Sequence, residues 1–206
     1  MGMYNMEENS RKCLEAVIYA AKTLINNDSD RYNLLEKTRM ERSIEFVFAY
    51  YIKNLVSIKG IDVDCEYNKN WEDIKKIGMK CEHCSYEYDC YYREIKEYSQ
   101  FNKQIIPDIL IHRRQSIEDD LIVIEIKHHK NLYSVGHPAF KNDFQKLSYM
   151  TCVYSEYKYQ IGLEVVFTRN NVYFLMFKDG KMIFNKYKCL KEMEEYIQEG
   201  EKFEKY

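Results

Sequence analysis

Three side chains in PDILIHRRQSIEDDLIVIEIKHHK, residues 107–130, have types and spacing suited to chemistry: Asp108, Glu125 and Lys127. Glu125 and Lys127 are two apart, so on a β-strand they project from one face. The stretch reads as two apolar strands around a polar turn, with the most polar residues at 115–120. In an antiparallel hairpin, a turn centred between Ser116 and Ile117 sets Asp108 opposite Glu125. Two carboxylates and one ammonium then meet at one end of an apolar ribbon. Burying such charges is costly unless they pair or hold a metal. Mg2+ takes oxygen ligands and keeps several waters, so two carboxylates and the backbone carbonyl of Ile126 suit it. A bound ion lowers the pKa of its water and offsets charge on a phosphate in the transition state. A neighbouring lysine can orient or deprotonate the attacking water and add electrostatic stabilisation.

The elements that must position these groups follow from hydrophobic spacing. Leu14, Val17, Ile18, Ala21, Leu24 and Ile25 form a helical stripe over residues 8–27, which Asn26, Asn27, Asp28 and Ser29 end. A second helix is predicted over about 32–56, with Ile44, Val47, Phe48, Tyr51, Ile52 and Leu55 as its stripe. Glu41 lies three residues before Ile44 and so falls on that inward stripe, whereas Glu45 is rotated away by ~100°. Geometry therefore favours Glu41 over Glu45 as a further acidic group. IDVDCEY, residues 61–67, alternates as a half-exposed strand, with Cys65 on its apolar face.

Residues 69–104 break the pattern and read as an insertion, with short helices near 71–77 and 86–98. After the hairpin, a helix is predicted over 142–154 with Asn142 or Asp143 as its N-cap. IGLEVVFTR and NVYFLMFK are strands joined by Asn170-Asn171, and Asp179-Gly180 is a hairpin turn. A last amphipathic helix covers about 190–199. This order implies an α/β fold, a mixed β-sheet flanked by helices.

With 206 residues, 46% hydrophobic and 31% charged, the chain is expected to form one globular domain. No apolar run reaches the ~18 residues of a membrane span, and Glu7 and Glu8 leave no signal-peptide core, so a cytoplasmic location with no membrane partner is expected. The seven cysteines are then expected to be reduced or metal-bound rather than disulfide-linked. A net charge of −2 excludes a globally basic nucleic-acid binder but not a local basic patch. His112, Arg113, Arg114, His128, His129, Lys130 and Lys141 surround the three key residues in sequence and could contact phosphates.

Pro107-Asp108 followed by Glu125-Ile126-Lys127 resembles the PD-(D/E)xK, or restriction-endonuclease-like, nuclease superfamily. The resemblance extends to an upstream helix bearing Glu41 and a downstream helix bearing DxxKL, Asp143, Lys146 and Leu147. The local texture is similar to small bacterial and phage-type members of unassigned role, and phage defence, prophage function and repair all stay open as settings. ExK also occurs at Glu94-Ile95-Lys96 and Glu156-Tyr157-Lys158, but only Glu125-Ile126-Lys127 ends an apolar β-rich segment preceded by PD.

The resemblance implies a Mg2+- or Mn2+-dependent nuclease acting on DNA, or on RNA. Asp108 and Glu125, with Glu41, would be metal ligands and Lys127 the catalytic lysine. Gln145 and Tyr149 form QxxxY, a pattern similar to that of RecB-like nucleases, in which these residues line the DNA-side groove; Lys146 beside them could reach a phosphate. A non-catalytic nucleic-acid- or partner-binding module on the same fold is the rival reading, and a homodimer or partner protein is compatible with either. The implied layout is one domain over 1–206, with an accessory helix at 1–30, a Cys-containing insertion at 69–104, and the catalytic hairpin, helix and sheet at 105–189.

Cys81, Cys84 and Cys90 read C-x2-C-x5-C with His83 between them, a spacing that suits a structural zinc. A fourth ligand would come from Cys65, His83 or residues 91–104. The triplet also resembles that of iron–sulfur-containing RecB-like nucleases, although there it lies near the C-terminus. Zinc, an iron–sulfur cluster and no metal all stay open. Cys13, Cys152 and Cys189 fall on apolar faces and read as core.

Overall fold

The structure is a computed structural model that describes residues 2–37, 40–65, 69–70, 73–74, 106–114, 120–130, 132, 141–153, 155 and 157–198. The chain opens with α1 (Gly2–Asn26), which starts earlier than its apolar stripe and ends where expected. Leu14, Val17, Ile18, Ala21 and Leu24 on that stripe are buried. A single turn, α2 (Asp28–Asp30), and a π-helical turn (Arg31–Leu35) follow.

The second long helix, α3 (Glu41–Leu55), begins nine residues later than the spacing predicts. Between Leu35 and Ile44 only Met40 is apolar, so this stretch offers no stripe to bury. Helices draw most of their stability from such a face.

Strand β1 (Asp62–Cys65) leaves all four of its residues half-buried rather than alternating. It lies at the sheet edge, where cover is incomplete on both faces. Two short strands, β2 (Lys69–Asn70) and β3 (Asp73–Ile74), pair antiparallel, so Asp73 and Ile74 are strand where a helix was expected near 71–77; the rest of that stretch, and the helix expected near 86–98, lie outside the described residues. Asn68 and Asn70 are poor helix formers whose side chains compete for backbone hydrogen bonds. Cys81, Cys84, Cys90 and His83 lie outside the described residues.

The rest of the fold comprises β4 (Ile109–His112), β5 (Asp120–His128), α4 (Lys141–Thr151), β6 (Ile161–Phe167), β7 (Val172–Lys178), β8 (Lys181–Met182), β9 (Lys188–Cys189) and α5 (Leu190–Gln198). Seven strands form one open sheet in the order β1-β4-β5-β6-β7-β8, with β9 also on β7. Every pairing is antiparallel except β5 with β6, which α4 connects. A parallel pair needs such a crossover.

Residues 121–126 and all of β6 are buried on both faces. That accounts for their near-continuous apolar sequence. On one face, α4 approaches so closely that a Cβ on Gly162 would lie 2.9 Å from Thr151 Cγ2. On the other face Phe48 of α3 meets Phe167 edge-on, with ring centroids 5.2 Å apart. The architecture is mixed α/β: a mostly antiparallel open sheet with helices on both sides.

The two turns expected after β6 form. Phe167 pairs with Val172 across residues 168–171. Asp179 and Gly180 both have positive φ, 52° and 75°, as a two-residue type I′ turn requires. Among the described residues, no helix is long and apolar enough to cross a membrane.

Candidate functional site

Asp108 directly precedes β4. The hairpin pairs Ile109 with Ile124, Leu110 with Val123 and Ile111 with Ile122, so its register extends to Asp108 opposite Glu125, as the turn centre implies. The ladder shifts only past Ile111, where His112 pairs with Asp120. Ile126 N donates to Asp108 Oδ2 at 2.6 Å, which ties the first carboxylate to the second strand.

Glu125 is 1% exposed. Its Oε2 accepts from Lys146 Nζ at 2.6 Å, and its Oε1 is buried with no hydrogen-bond partner among the described residues. The parallel register places Glu164 of β6 beside Glu125 on the same face. Glu164 is fully buried and accepts a hydrogen bond from the Tyr187 hydroxyl.

Helix α4 lies over this row. Its Asp143 stands 3.1 Å from Lys127 Nζ through Oδ2 and 3.7 Å from Lys146 Nζ through Oδ1. Lys127 Nζ also donates to Ile126 O at 3.1 Å and lies 3.7 Å from Glu41 Oε1. Lys146 Nζ donates to Ile106 O at 3.2 Å.

Burial dominates the titration of the acids. Desolvation raises Asp108 despite its bond from Ile126, and it raises Glu125 well above the ordinary carboxylate range, with Asp108 adding repulsion. Glu164 is pushed up to about 8 by burial, against the bond from Tyr187. For Lys127, burial pulls down but Asp143 and Glu41 outweigh it, so its ammonium is held above its ordinary value. Lys146 is likewise lowered by burial and raised more by Glu125. A lysine held as an ammonium orients water or stabilises charge; it does not take a proton from water.

Several expectations change. Glu41 does not lie on the buried face: its side chain is 47% exposed, whereas Glu45 is 4% exposed. Glu41 reaches Lys127 because it starts α3, and its Oε2 accepts from His128 N at 3.2 Å. Asn142 and Asp143 sit inside α4 rather than capping it. Tyr149, expected along a groove, is 9% exposed and meets the Tyr157 ring edge-on at 5.8 Å, so the core covers its face; Gln145 is half-buried. Lys146, which could reach a phosphate, lies here against Glu125, because a buried carboxylate attracts the nearest ammonium.

His112 and Arg114 lie at the opposite end of the hairpin, with Asp64 of β1. His112 Nε2 is 3.0 Å from Asp64 Oδ2, and Arg114 Nε donates to the same oxygen at 2.9 Å. His128 Nε2 lies 3.0 Å from Leu35 O, on the α3 side. Cys65 is half-buried on β1 and pairs with Ile109, Cys13 and Cys152 are buried, and Cys189 is half-buried rather than in the core.

Sequence reasoning missed Asp143 as a site residue, and it missed Glu164 and Tyr187 altogether. A lone glutamate inside the apolar run IGLEVVF was the available signal for Glu164, since an isolated charge in a doubly covered strand needs a reason.

Among the described residues, no group of three or more His, Cys, Asp or Glu side chains is arranged to hold a metal ion. Here the carboxylates are gathered around ammoniums. No family model, no curated protein and no solved structure matches this chain.

Proposed function

We propose that this protein is a Mg2+- or Mn2+-dependent nuclease that hydrolyses phosphodiester bonds of nucleic acid, DNA before RNA, on a restriction-endonuclease-like fold. The observation that carries the reading is the facing of Asp108 and Glu125 at one end of a buried hairpin, with Lys127 on the same face. The order of elements supports it: a helix starting at Glu41, the hairpin, then a helix with Asp143 and Lys146.

The donor set fits a hard divalent cation. Asp108, Glu125, Asp143 and Glu41 are four carboxyl groups gathered with two ammoniums in a partly buried site, where a divalent cation would favour the ionised form of the acids that burial raises. Glu125 Oε1 is a buried acceptor with no hydrogen-bond partner among the described residues. Asp108 and Glu125 would hold the ion, with Glu41 contributing from the rim. The ion would lower the pKa of a bound water and offset phosphate charge.

The chain's own groups do the rest. Asp108 is oriented by Ile126 N, Lys127 is presented as an ammonium by Asp143 and Glu41, and the sheet excludes bulk water from Glu125. An ammonium kept charged beside the scissile phosphate stabilises the charge that develops there.

The test is direct. Purified protein with Mg2+ or Mn2+ should cut single- or double-stranded DNA or RNA. Lys127→Ala should lower that rate by about 10²–10³-fold while circular dichroism stays unchanged. Absence of any metal-dependent cleavage, or a fully active Lys127→Ala, sinks the reading.

One observation favours a second reading, a non-catalytic binding module on the same fold: the lysines already neutralise part of the acidic cluster, and no three-ligand metal group is formed. That reading expects nucleic-acid or partner binding without cleavage and without a response to divalent metal.

A further inference from the structure

Lys146 lies in a cage of oxygens. Its Nζ is 2.6 Å from Glu125 Oε2, 3.2 Å from Ile106 O and 3.7 Å from Asp143 Oδ1. Two carboxylates and a main-chain carbonyl are also the donors a hard divalent cation takes. Glu125 cannot turn to solvent, being 1% exposed, and its Oε1 has no hydrogen-bond partner among the described residues. The glutamate is therefore a fixed carboxyl group with spare acceptor capacity. Lys146 is the movable partner: its side chain is 18% exposed and carries its charge on a flexible four-carbon stem.

An ammonium and a divalent ion cannot share the buried Glu125 Oε2, because like charges a few ångströms apart repel strongly where water does not screen them. Lys127 does not face this conflict directly, since Asp143, Glu41 and its own strand's Ile126 O hold it.

Building on the nuclease reading, we infer that Lys146 is a resident counter-cation that must leave Glu125 for the divalent ion to bind, and that a nucleic-acid phosphate is what draws it out. A displaced ammonium is a phosphate ligand. One side chain thus couples substrate to metal: nucleic acid tightens metal binding, and metal tightens nucleic-acid binding by the same factor. Without substrate the site neutralises itself and holds divalent metal weakly.

The experiment measures Mn2+ binding to the full chain by calorimetry and electron paramagnetic resonance, with and without an uncleavable phosphorothioate oligonucleotide, and subtracts Mn2+ bound by the oligonucleotide alone. Wild type is compared with Lys146→Gln and Lys146→Met, the first keeping a donor to Glu125 and the second keeping the volume. Without oligonucleotide, both variants should bind Mn2+ about tenfold more tightly than wild type. The oligonucleotide should tighten wild type by a similar factor and leave the variants unchanged. If neither variant folds, the wild-type comparison still tests the coupling, and a failure of the oligonucleotide to tighten Mn2+ overturns the inference.

Equal Mn2+ affinity in all proteins, lost in Glu125→Gln, overturns the inference and leaves the nuclease reading standing. No Mn2+ binding at millimolar concentration, with or without oligonucleotide, overturns both.

Discussion

At one end of the β4–β5 hairpin, Asp64 takes Arg114 and His112 on its carboxylate, and His112 Nδ1 lies 3.8 Å from Asp120. At the other end, Asp108 faces Glu125, with Lys127 and Lys146 reached through Asp143 and Glu41. Both are clusters of acids and bases at the ends of one ribbon, and in both the central carboxylate, Asp64 or Glu125, is largely shielded from water. Yet they titrate in opposite directions. Burial would raise Asp64, but Arg114 and His112 outweigh it and hold the carboxyl far below its usual range. At the far end burial wins, and both Asp108 and Glu125 are raised.

The difference lies in donors. Asp64 receives two charged or polar donors directly, while among the described residues Glu125 has one ammonium on Oε2 and no donor on Oε1. A satisfied cluster joins strands. An acid-rich, under-supplied cluster keeps a capacity for further positive charge, which is where perturbed titration points to function.

Three changes test that contrast. The largest effect is expected for Asp108→Asn, which keeps an acceptor for Ile126 N but removes the charge. Metal-dependent cleavage should fall about 10³-fold, roughly 4 kcal/mol of transition-state stabilisation. Thermal stability should hold or rise, because repulsion with Glu125 is gone. A destabilised but active Asp108→Asn would make the two ends alike.

Glu164 comes next. Its folded carboxyl sits at about 8 against an ordinary 4.5, so the native state binds its proton more tightly than the unfolded state. Stability from this group is therefore full below about 4.5 and falls as pH rises toward 8. Glu164→Gln should remove that loss, on the order of a few kcal/mol by pH 8. Urea melts at pH 5 and pH 8 read the difference directly, and an unchanged slope refutes it.

The smallest effect belongs to Asp64→Asn. Losing the charge that Arg114 and His112 share should cost about 2 kcal/mol. Cleavage at matched folded fraction should not change. Asp64 is depressed when folded, so its contribution is present above the unfolded value of about 4 and lost as pH falls through the much lower folded value. The variant should thus converge with wild type in strong acid. A drop in cleavage without unfolding would tie the two ends functionally.

Much of the local architecture was legible in the residues. The polar centre at 115–120 within an apolar ribbon placed Asp108 opposite Glu125, since a hairpin's midpoint sets every pair. Asp179-Gly180 specified its turn because few residues tolerate positive φ at both positions. The stripe of α1 and the amphipathic character of α5 were read from their spacing. The start of α3 was misjudged because charged residues 36–42 continue the chain without a face to bury. Glu45 was taken as outward because the stripe was drawn around Ile44, whereas burial also covers Ala49.

What the sequence determined by itself is short-range: which residues share a strand face, where a turn must fall, and that two acids and a lysine meet at one hairpin end. Tertiary structure decided the surroundings that give those groups their charge states. Pairing β5 parallel to β6 put Glu164 beside Glu125, and the crossover laid α4 above them so that Asp143 and Lys146 became partners. Neither contact has a spacing that could reveal it. They depend on the register between strands distant in sequence, where a slip of one residue sends every side chain to the opposite face.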